Sequence, residues 1–466
     1  MINQTTGPQT KYELLADIQK PRWRKQVVCL VLTFLTVGAL FITRAWVGIS
    51  TARYTRDRVF FVGEKIENAQ ITAWLQRARM YAQSTKENQN SVKNTASESS
   101  YDSSQKSTGK IIVCYFSIPQ DMNTSQGLIP SHVDPHICTH IIVGFARVLN
   151  CSLNLGEYSW VYRQIANLKS HEPNLKVMVS AGGINELKSG FPEMTKTHAN
   201  RKIFIRSVLN ITKTFNLDGL DLDWEFPAWL GSNDNEKIHF IQLLQELRKE
   251  FNRSDQKLLL TAAVAAPEAI VDQSYNVPAI AEHVDFVNLM SYDYHSYVWY
   301  YPVTGLNSPL FSRSIENGYL STLNVNYSAN YWISKGMPKE KIVIGIPTYG
   351  HSYQLENPLN HDVQAPAKGV GRLGDDSFVP YTTICQFLQS GAESTFLNDS
   401  RVPYAYKNEE WISYDDVTSV IEKAKWIKSS DFKGAMILSL NCDDWNATCS
   451  KNETFPLIRA VKLVLN

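Results

Sequence analysis

The sequence predicts an α/β fold: a (β/α)8 TIM barrel with a small inserted α+β subdomain between its seventh and eighth strands. Three observations predict it. From Ile111 onward, short apolar or β-branched runs alternate with amphipathic stretches. Strand–helix alternation means a parallel sheet, and near-continuous apolar strands mean one covered on both faces. The candidate strands are Ile111–Phe116, His140–Arg147, Leu175–Ala181, Gly219–Phe226, Lys257–Ala265, Val284–Tyr292, Lys341–Tyr349 and Gly434–Asn441. Eight such units close a barrel. One gap is abnormal, the roughly 85 residues between the last two runs, which carry their own aromatic and β-patterned pieces (PYTTICQFL, VPYAYKNEEWISY). They are read as the inserted subdomain, about residues 352–430. The helical pattern between strands is clearest in Asn235–Asn252, NEKIHFIQLLQELRKEFN.

Ahead of the barrel the chain reads differently. Val27 to Ile42 (VVCLVLTFLTVGALFI) carries no charge. At 1.5 Å per residue it spans about 24 Å, and extension to Ile49 brings it nearer the ~30 Å hydrocarbon core. Lys11, Lys20, Arg22, Arg24 and Lys25 precede it. The positive-inside rule then predicts a short cytosolic tail (1–26), a transmembrane signal-anchor (27–49) and everything later outside, a single-pass type II membrane protein. A cleaved signal peptide, giving a secreted protein, and a buried core helix are the alternatives. Residues 50–109 read as a stalk. Ser84–Lys110 is rich in Ser, Asn, Lys and Gln and has one aromatic residue, too little to offset chain entropy by burial. The barrel with its insertion occupies 110–466.

Composition excludes several classes. Of the residues, 44% are hydrophobic and 20% charged, which is ordinary for a globular chain. Lys+Arg 46 against Asp+Glu 45 leaves a net charge of +1, without the basic excess of a nucleic-acid-binding domain. Seven cysteines are too few for a disulfide-built scaffold. CxxC, HExxH and GxxxxGK[ST] are absent, so the common redox, zinc and P-loop readings lack support.

Barrel chemistry sits at the C-terminal ends of the strands. The fourth run ends in DGLDLDWEFP, Asp218 to Pro227. Side chains alternate along a strand, so Asp221, Asp223 and Glu225 share one face and Leu220, Leu222, Trp224 and Phe226 the other. The apolar set fits the strand–helix interface, which turns the acids into the barrel mouth. Three stacked carboxyls repel one another, so at least one is expected to hold or share a proton near neutral pH, as a general acid must. A charged strand-end loop, a calcium site and an inherited but silent cluster are the alternatives. Calcium wants about six to eight oxygens, and the EF-hand spacing is missing nearby.

DGLDLDWEFP resembles the DxxDxDxE signature of the family-18 glycoside hydrolases, the chitinases and chitinase-like lectins. Other stretches agree in order: Val113-Cys114-Tyr115-Phe116, Cys138-Thr139-His140 through Phe145-Ala146, Ser180-Ala181-Gly182-Gly183, Met290-Ser291-Tyr292-Asp293-Tyr294-His295, and Gly345-Ile346-Pro347-Thr348-Tyr349-Gly350. The resemblance covers about Ile111 to Asn466, and the insertion matches the animal branch. It implies substrate-assisted retaining hydrolysis of β-1,4-linked N-acetylglucosamine, an exception to two-carboxylate chemistry. Glu225 would be the general acid, Asp223 would hold the acetamido N–H, and Asp221 would share its proton. Tyr292 and Asp293 would position the acetamido group, Tyr349 would hold the sugar and Met290 would line the pocket, with Tyr115, Phe145 and Trp299 as further substrate contacts. The implied partner is chitin or another N-acetylglucosamine glycan, with no metal and no organic cofactor. The implied disulfides are Cys114–Cys138 and Cys385–Cys449; Cys151 and Cys442 either pair or stay free.

The sequence departs from the family on the substrate side. Leu438 stands where a Trp usually ends the eighth strand, and Ile184 where a Trp commonly follows Gly182-Gly183. A Trp expected soon after the first strand is missing from Ser117–Thr124; Phe226 replaces a common Tyr and His351 a common Arg. The acid set is intact and Glu225 is present, so the reading is an enzyme, with a glycan-binding lectin without turnover, or a surface scaffold, as competing functions.

Overall fold

The computed structural model describes residues 109–118, 127–183, 190–229, 233–449 and 453–466. The tail (1–26), the anchor (27–49), the stalk up to residue 108, residues 119–124 and Ile184 lie outside the described residues. Among the described residues no helix is long and apolar enough to cross a membrane.

The barrel begins with β1 (Ile111–Ser117) and β2 (His140–Leu149), which folds back on a short β3 (Ser152–Asn154). It continues through β4 (Lys176–Gly182), β5 (Gly219–Asp223), β6 (Leu259–Ala265), β7 (Phe286–Met290) and β8 (Ile342–Pro347). The insertion supplies β9 (Tyr349–Leu355), β10 (Ala367–Val370), β11 (Phe378–Pro380), β12 (Glu393–Leu397), β13 (Val402–Lys407) and β14 (Glu410–Ser413). Barrel strand β15 (Gly434–Leu438) comes last. All barrel pairings are parallel, and β1 pairs with both β2 and β15, which closes the ring of eight. Closure leaves no unpaired edge in the barrel.

Helices cover the outside: α1 (Ser159–Asn167), α2 (Phe191–Lys196), α3 (His198–Phe215), α4 (Glu236–Arg253), α5 (Glu268–Ser274), α6 (Val277–His283) and α7 (Val325–Ser334) before the insertion. Then come α8 (Tyr381–Gln389) inside it, and α9 (Val417–Ser429) and α10 (Pro456–Leu465) flanking β15. Their ends follow capping chemistry. Thr197 accepts the N–H of Asn200 at the start of α3, and Asn216 closes that helix in the left-handed region. Helix α4 buries Phe240, Leu243, Leu244, Leu247 and Phe251, the i, i+3, i+4 stripe of its sequence.

The eight predicted barrel strands are all present, several with shorter ends than predicted, and three segments need comment. Strand β5 ends at Asp223, not Phe226, because its neighbour β4 stops at Gly182 and Gly183 turns away with φ +81°. The run Lys341–Tyr349 is two strands: β8 stops at Pro347, and Tyr349 opens β9 of the second sheet. PYTTICQFL is largely helix α8, not strand. Pro380 precedes its first turn, and Tyr381, Ile384 and Cys385 recur at helical spacing on its buried face, so packing overrides the β-branched threonines.

The insertion is an antiparallel sheet in the order β10-β9-β14-β13-β12, with β11 also on β9. It has its own core of Leu306, Tyr353, Leu355, Val363, Ala365, Ala367, Val402, Tyr404 and Trp411. Because β9 follows β8 after one residue, this sheet grows directly from the mouth of the barrel.

Two disulfides, Cys114–Cys138 and Cys385–Cys449, are the pairs the family resemblance implies. Cys151 and Cys442 are free thiols. Between the insertion and β15 lies a fully buried ion pair. Lys423 on α9 donates to Asp415 at 2.7 Å and to Ser308 Oγ at 2.9 Å, and Asp415 also accepts from Ser419 Oγ at 2.7 Å. Removing one partner strands the other charge. Lys423→Met is expected to cost about 3–5 kcal/mol in denaturant unfolding, and Lys423→Met with Asp415→Leu to recover most of it. Equal stability of the single variant and wild type would contradict this account.

Candidate active site

The site is built from the floor of the barrel upward. Alternation along β5 sends Asp221 inward and Leu220 and Leu222 outward. The outward set continues in Trp224, whose ring stacks on Phe191 at 5.2 Å and meets Phe240 edge-on at 6.1 Å. Asp221 is fully buried and accepts four hydrogen bonds. Thr261 Oγ1 at 2.6 Å and Asn288 Nδ2 at 3.2 Å meet one oxygen; Tyr115 Oη and Ser180 Oγ, each at 2.8 Å, meet the other. Ser180 and Thr261 are its register partners on β4 and β6, so the three side chains share one layer. Burial holds the Asp221 carboxyl above the usual range, against the downward pull of these donors. Burial, then the nearby Asp221 and Asp223, pushes the Tyr115 phenol well up, so it stays a donor.

Above Asp221 the acids become progressively more open. Asp223 is 5% exposed and Glu225 is half-buried at the rim. Both act on the buried phenols of Tyr275 and Tyr292, whose titration is raised first by burial and then by surrounding carboxylates. Tyr292 therefore lies within electrostatic reach of Asp221, Asp223, Glu225 and Asp293 together.

The end of β7 supplies the facing wall. Met290 and Tyr292 are buried, and the Tyr292 hydroxyl lies 3.9 Å from Met436 Sδ on β15. Gly345 on β8 must be glycine, because a Cβ there would fall 2.8 Å from the Tyr292 ring. Asp293 adopts φ +55°. One of its carboxylate oxygens accepts from Tyr349 Oη at 2.5 Å and pairs with His351 Nε2 at 2.9 Å. Tyr349 and His351 alternate on β9, so the inserted sheet delivers both. His351 is buried, with Nδ1 3.2 Å from Ser377 Oγ. Tyr349 is also stacked at 4.3 Å on Phe378 of β11, a ring 36% exposed.

The rim is aromatic but uneven. Phe145, half-buried, stacks on Tyr115 at 5.9 Å, and the positive-φ Gly183 leaves room for its ring. Trp299 stands apart from the buried cluster, 58% exposed on the loop after β7 and edge-on to Tyr300. Leu438 follows Met436 by two residues on β15 and therefore faces the mouth, one layer higher. It is half-buried.

The structure thus brings together Tyr115, Phe145, Asp221, Asp223, Glu225, Met290, Tyr292, Asp293 and Tyr349. Sequence reasoning assigned no role to Ser180, Thr261, Asn288, Tyr275 or Phe378. A signal for the first three existed: each is a lone polar residue inside an apolar strand, where a buried polar group needs a partner. Among the described residues no group of three or more His, Cys, Asp or Glu is arranged to hold a metal ion.

Comparison with known proteins agrees with this geometry. The family model for glycosyl hydrolases family 18 matches residues 111–443. Chitinase-3-like protein 2 of Homo sapiens is 40% identical over 364 residues, 75% of this chain and 91% of that protein. The immunomodulatory active chitinase TsES1 of Trichuris suis superposes with a TM-score of 0.72 at 34% identity, covering 77% of this chain and all of that one. Human YKL-39, described as a pseudo-chitinase with retained chitooligosaccharide binding properties, superposes with a TM-score of 0.72 at 39% identity over 76% of this chain and 99% of that one. With a barrel closed around an acid-lined mouth and a family match across most of its length, the chain belongs to the glycosyl hydrolases family 18.

Proposed function

We propose that this protein is a chitinase-type hydrolase that cleaves β-1,4 links in N-acetylglucosamine polymers or oligomers by a substrate-assisted retaining route. Glu225 gives its proton to the glycosidic oxygen as the bond to the leaving sugar breaks. The substrate's own N-acetyl carbonyl oxygen attacks the anomeric carbon and forms a cyclic intermediate, which water then opens while Glu225 takes the proton back. Asp223 accepts the acetamido N–H and stabilises the positive charge that develops, with Asp221 beneath it sharing a proton. Tyr292 and Asp293 position the acetamido group, and Tyr349 holds the sugar through its link to Asp293. Tyr115, Phe145, Met290 and Trp299 supply further sugar contacts.

The observation that carries this reading is the burial gradient along the acids. Asp221 and Asp223 are 0% and 5% exposed, whereas Glu225 is only half-buried, as a group that hands its proton to an arriving glycosidic oxygen must be. The test is release of reducing ends from a short chitooligosaccharide by the wild type and by Glu225→Gln; equal rates would reject it.

A second reading, glycan binding without turnover, is favoured by Leu438 at the position of a floor Trp and by the binding without hydrolysis described for YKL-39. In either case the segment 27–49, with its apolar run Val27–Ile42, is proposed to anchor the protein in a membrane. The barrel would then stand on a stalk on the lumenal or extracellular side, where its two disulfides are stable.

A further inference from the structure

The loop after β7 runs through Asn307-Ser308-Pro309-Leu310. Asn307 is fully buried although it lies on a loop. Both ends of its side chain are used. Its Oδ1 accepts the backbone N–H of Asp293 at 2.9 Å, and its Nδ2 donates to the backbone carbonyl of Tyr349 at 3.1 Å. Its own N–H donates to Ser413 Oγ of β14 at 2.8 Å, and its carbonyl accepts from the N–H of Tyr294 at 3.0 Å. The next residue repeats the pattern: Ser308 Oγ donates to the carbonyl of Ser291 at 2.7 Å and accepts from the buried Lys423.

These contacts close a ring. Asp293 and Tyr349 are joined once through their side chains and again through Asn307. Asp293 also sits at φ +55°, a left-handed conformation that a non-glycine residue keeps only when its surroundings hold it there. The N–H presented by that backbone is the one Asn307 takes.

We propose that Asn307 is a positioning residue for glycan binding: it locks Asp293 of the barrel against Tyr349 of the inserted sheet, so that the insertion sets the direction of the Asp293 carboxylate. The proposal rests on the reading of Asp293 as an acetamido contact. Asn307 touches no substrate; it acts through Asp293, which it ties to the backbone of Tyr349.

The experiment is a double-mutant cycle read by calorimetric binding of chitotetraose to the full chain, in a Glu225→Gln background that prevents turnover. Asn307→Ala is expected to weaken binding about tenfold, the size of one lost buried hydrogen-bond bridge. Asp293→Ala is expected to weaken it by at least as much. The two together are expected to fall no more than about twofold below Asp293→Ala alone, because both act through one group. Effects that multiply, or unchanged affinity in Asn307→Ala, would overturn the proposal. A merely structural residue would lower the melting temperature and weaken binding independently of Asp293. Where Asn307→Ala does not fold, the isosteric Asn307→Asp carries the same cycle. It keeps the acceptor for the Asp293 N–H and sets an oxygen against the Tyr349 carbonyl. A wild type that binds chitotetraose but releases no reducing ends refutes hydrolysis and leaves this cycle readable; a wild type that does not bind it overturns both.

Discussion

Glu225→Gln is expected to lower kcat on a chitooligosaccharide by about 10²–10⁴-fold, the usual worth of a positioned general acid. The substitution keeps shape and hydrogen-bonding reach and removes the proton that the leaving sugar needs. On the proposed reading the ground-state contacts come from Asp293, Tyr349 and the rim aromatics, so the Kd for the same oligosaccharide should change by no more than a few-fold. This split between rate and affinity is what distinguishes an acid from a binding residue. Rates and affinities of both proteins are measured by reducing-end release and calorimetry. A wild type that binds but never turns over would make this chain a lectin on a hydrolase frame, and rates that match in the two proteins would remove Glu225 from the chemistry.

Leu438→Trp is expected to strengthen binding or catalysis on the order of 70-fold. Strand β15 presents Met436 and Leu438 to the barrel interior, and Leu438 is the upper of the two. A sugar lying over it meets a small aliphatic side chain. An indole face adding ~100 Å² of apolar contact at ~25 cal/mol/Å² contributes about 2.5 kcal/mol, which is roughly 70-fold in an equilibrium or a rate. Comparing kcat/KM and Kd before and after the change separates two histories. A gain in kcat/KM means the acid machinery is sound and only the floor is missing. A gain in affinity without turnover means the defect lies among the acids themselves. No change in either would show that Leu438 is not under the bound sugar.

The two experiments bear on one physical contrast within the site. The base and the facing wall of the acid column are well furnished: Asp221 has four donors, Asp293 has Tyr349 and His351, and Tyr292 lies within electrostatic reach of the carboxylates. The proposed sugar-stacking surface is thinner, with Leu438 facing the mouth and Trp299 exposed on the loop after β7 against Tyr300 alone among the rings described. Phe378 adds one exposed ring from the insertion, stacked on Tyr349.

What the sequence determined by itself was whatever periodicity encodes. Eight apolar runs separated by amphipathic segments specify a closed parallel barrel, and alternation along GLDLD specifies which side chains enter it, because the two-residue period of a strand is local. The acids, the β7-end motif and the disulfide pairs were legible for that reason or through family resemblance. Contact between segments far apart in the chain came only with folding. The partners of Asp221 come from β1, β4, β6 and β7, and nothing local in any of them announces a shared layer. The split of Lys341–Tyr349 into two strands, the helical state of Tyr381–Gln389 and the bridge of Asn307 between Asp293 and Tyr349 were set in the same way. In each, burial and hydrogen-bond satisfaction across the fold outweigh local preference, and those terms exist only once the chain has closed on itself.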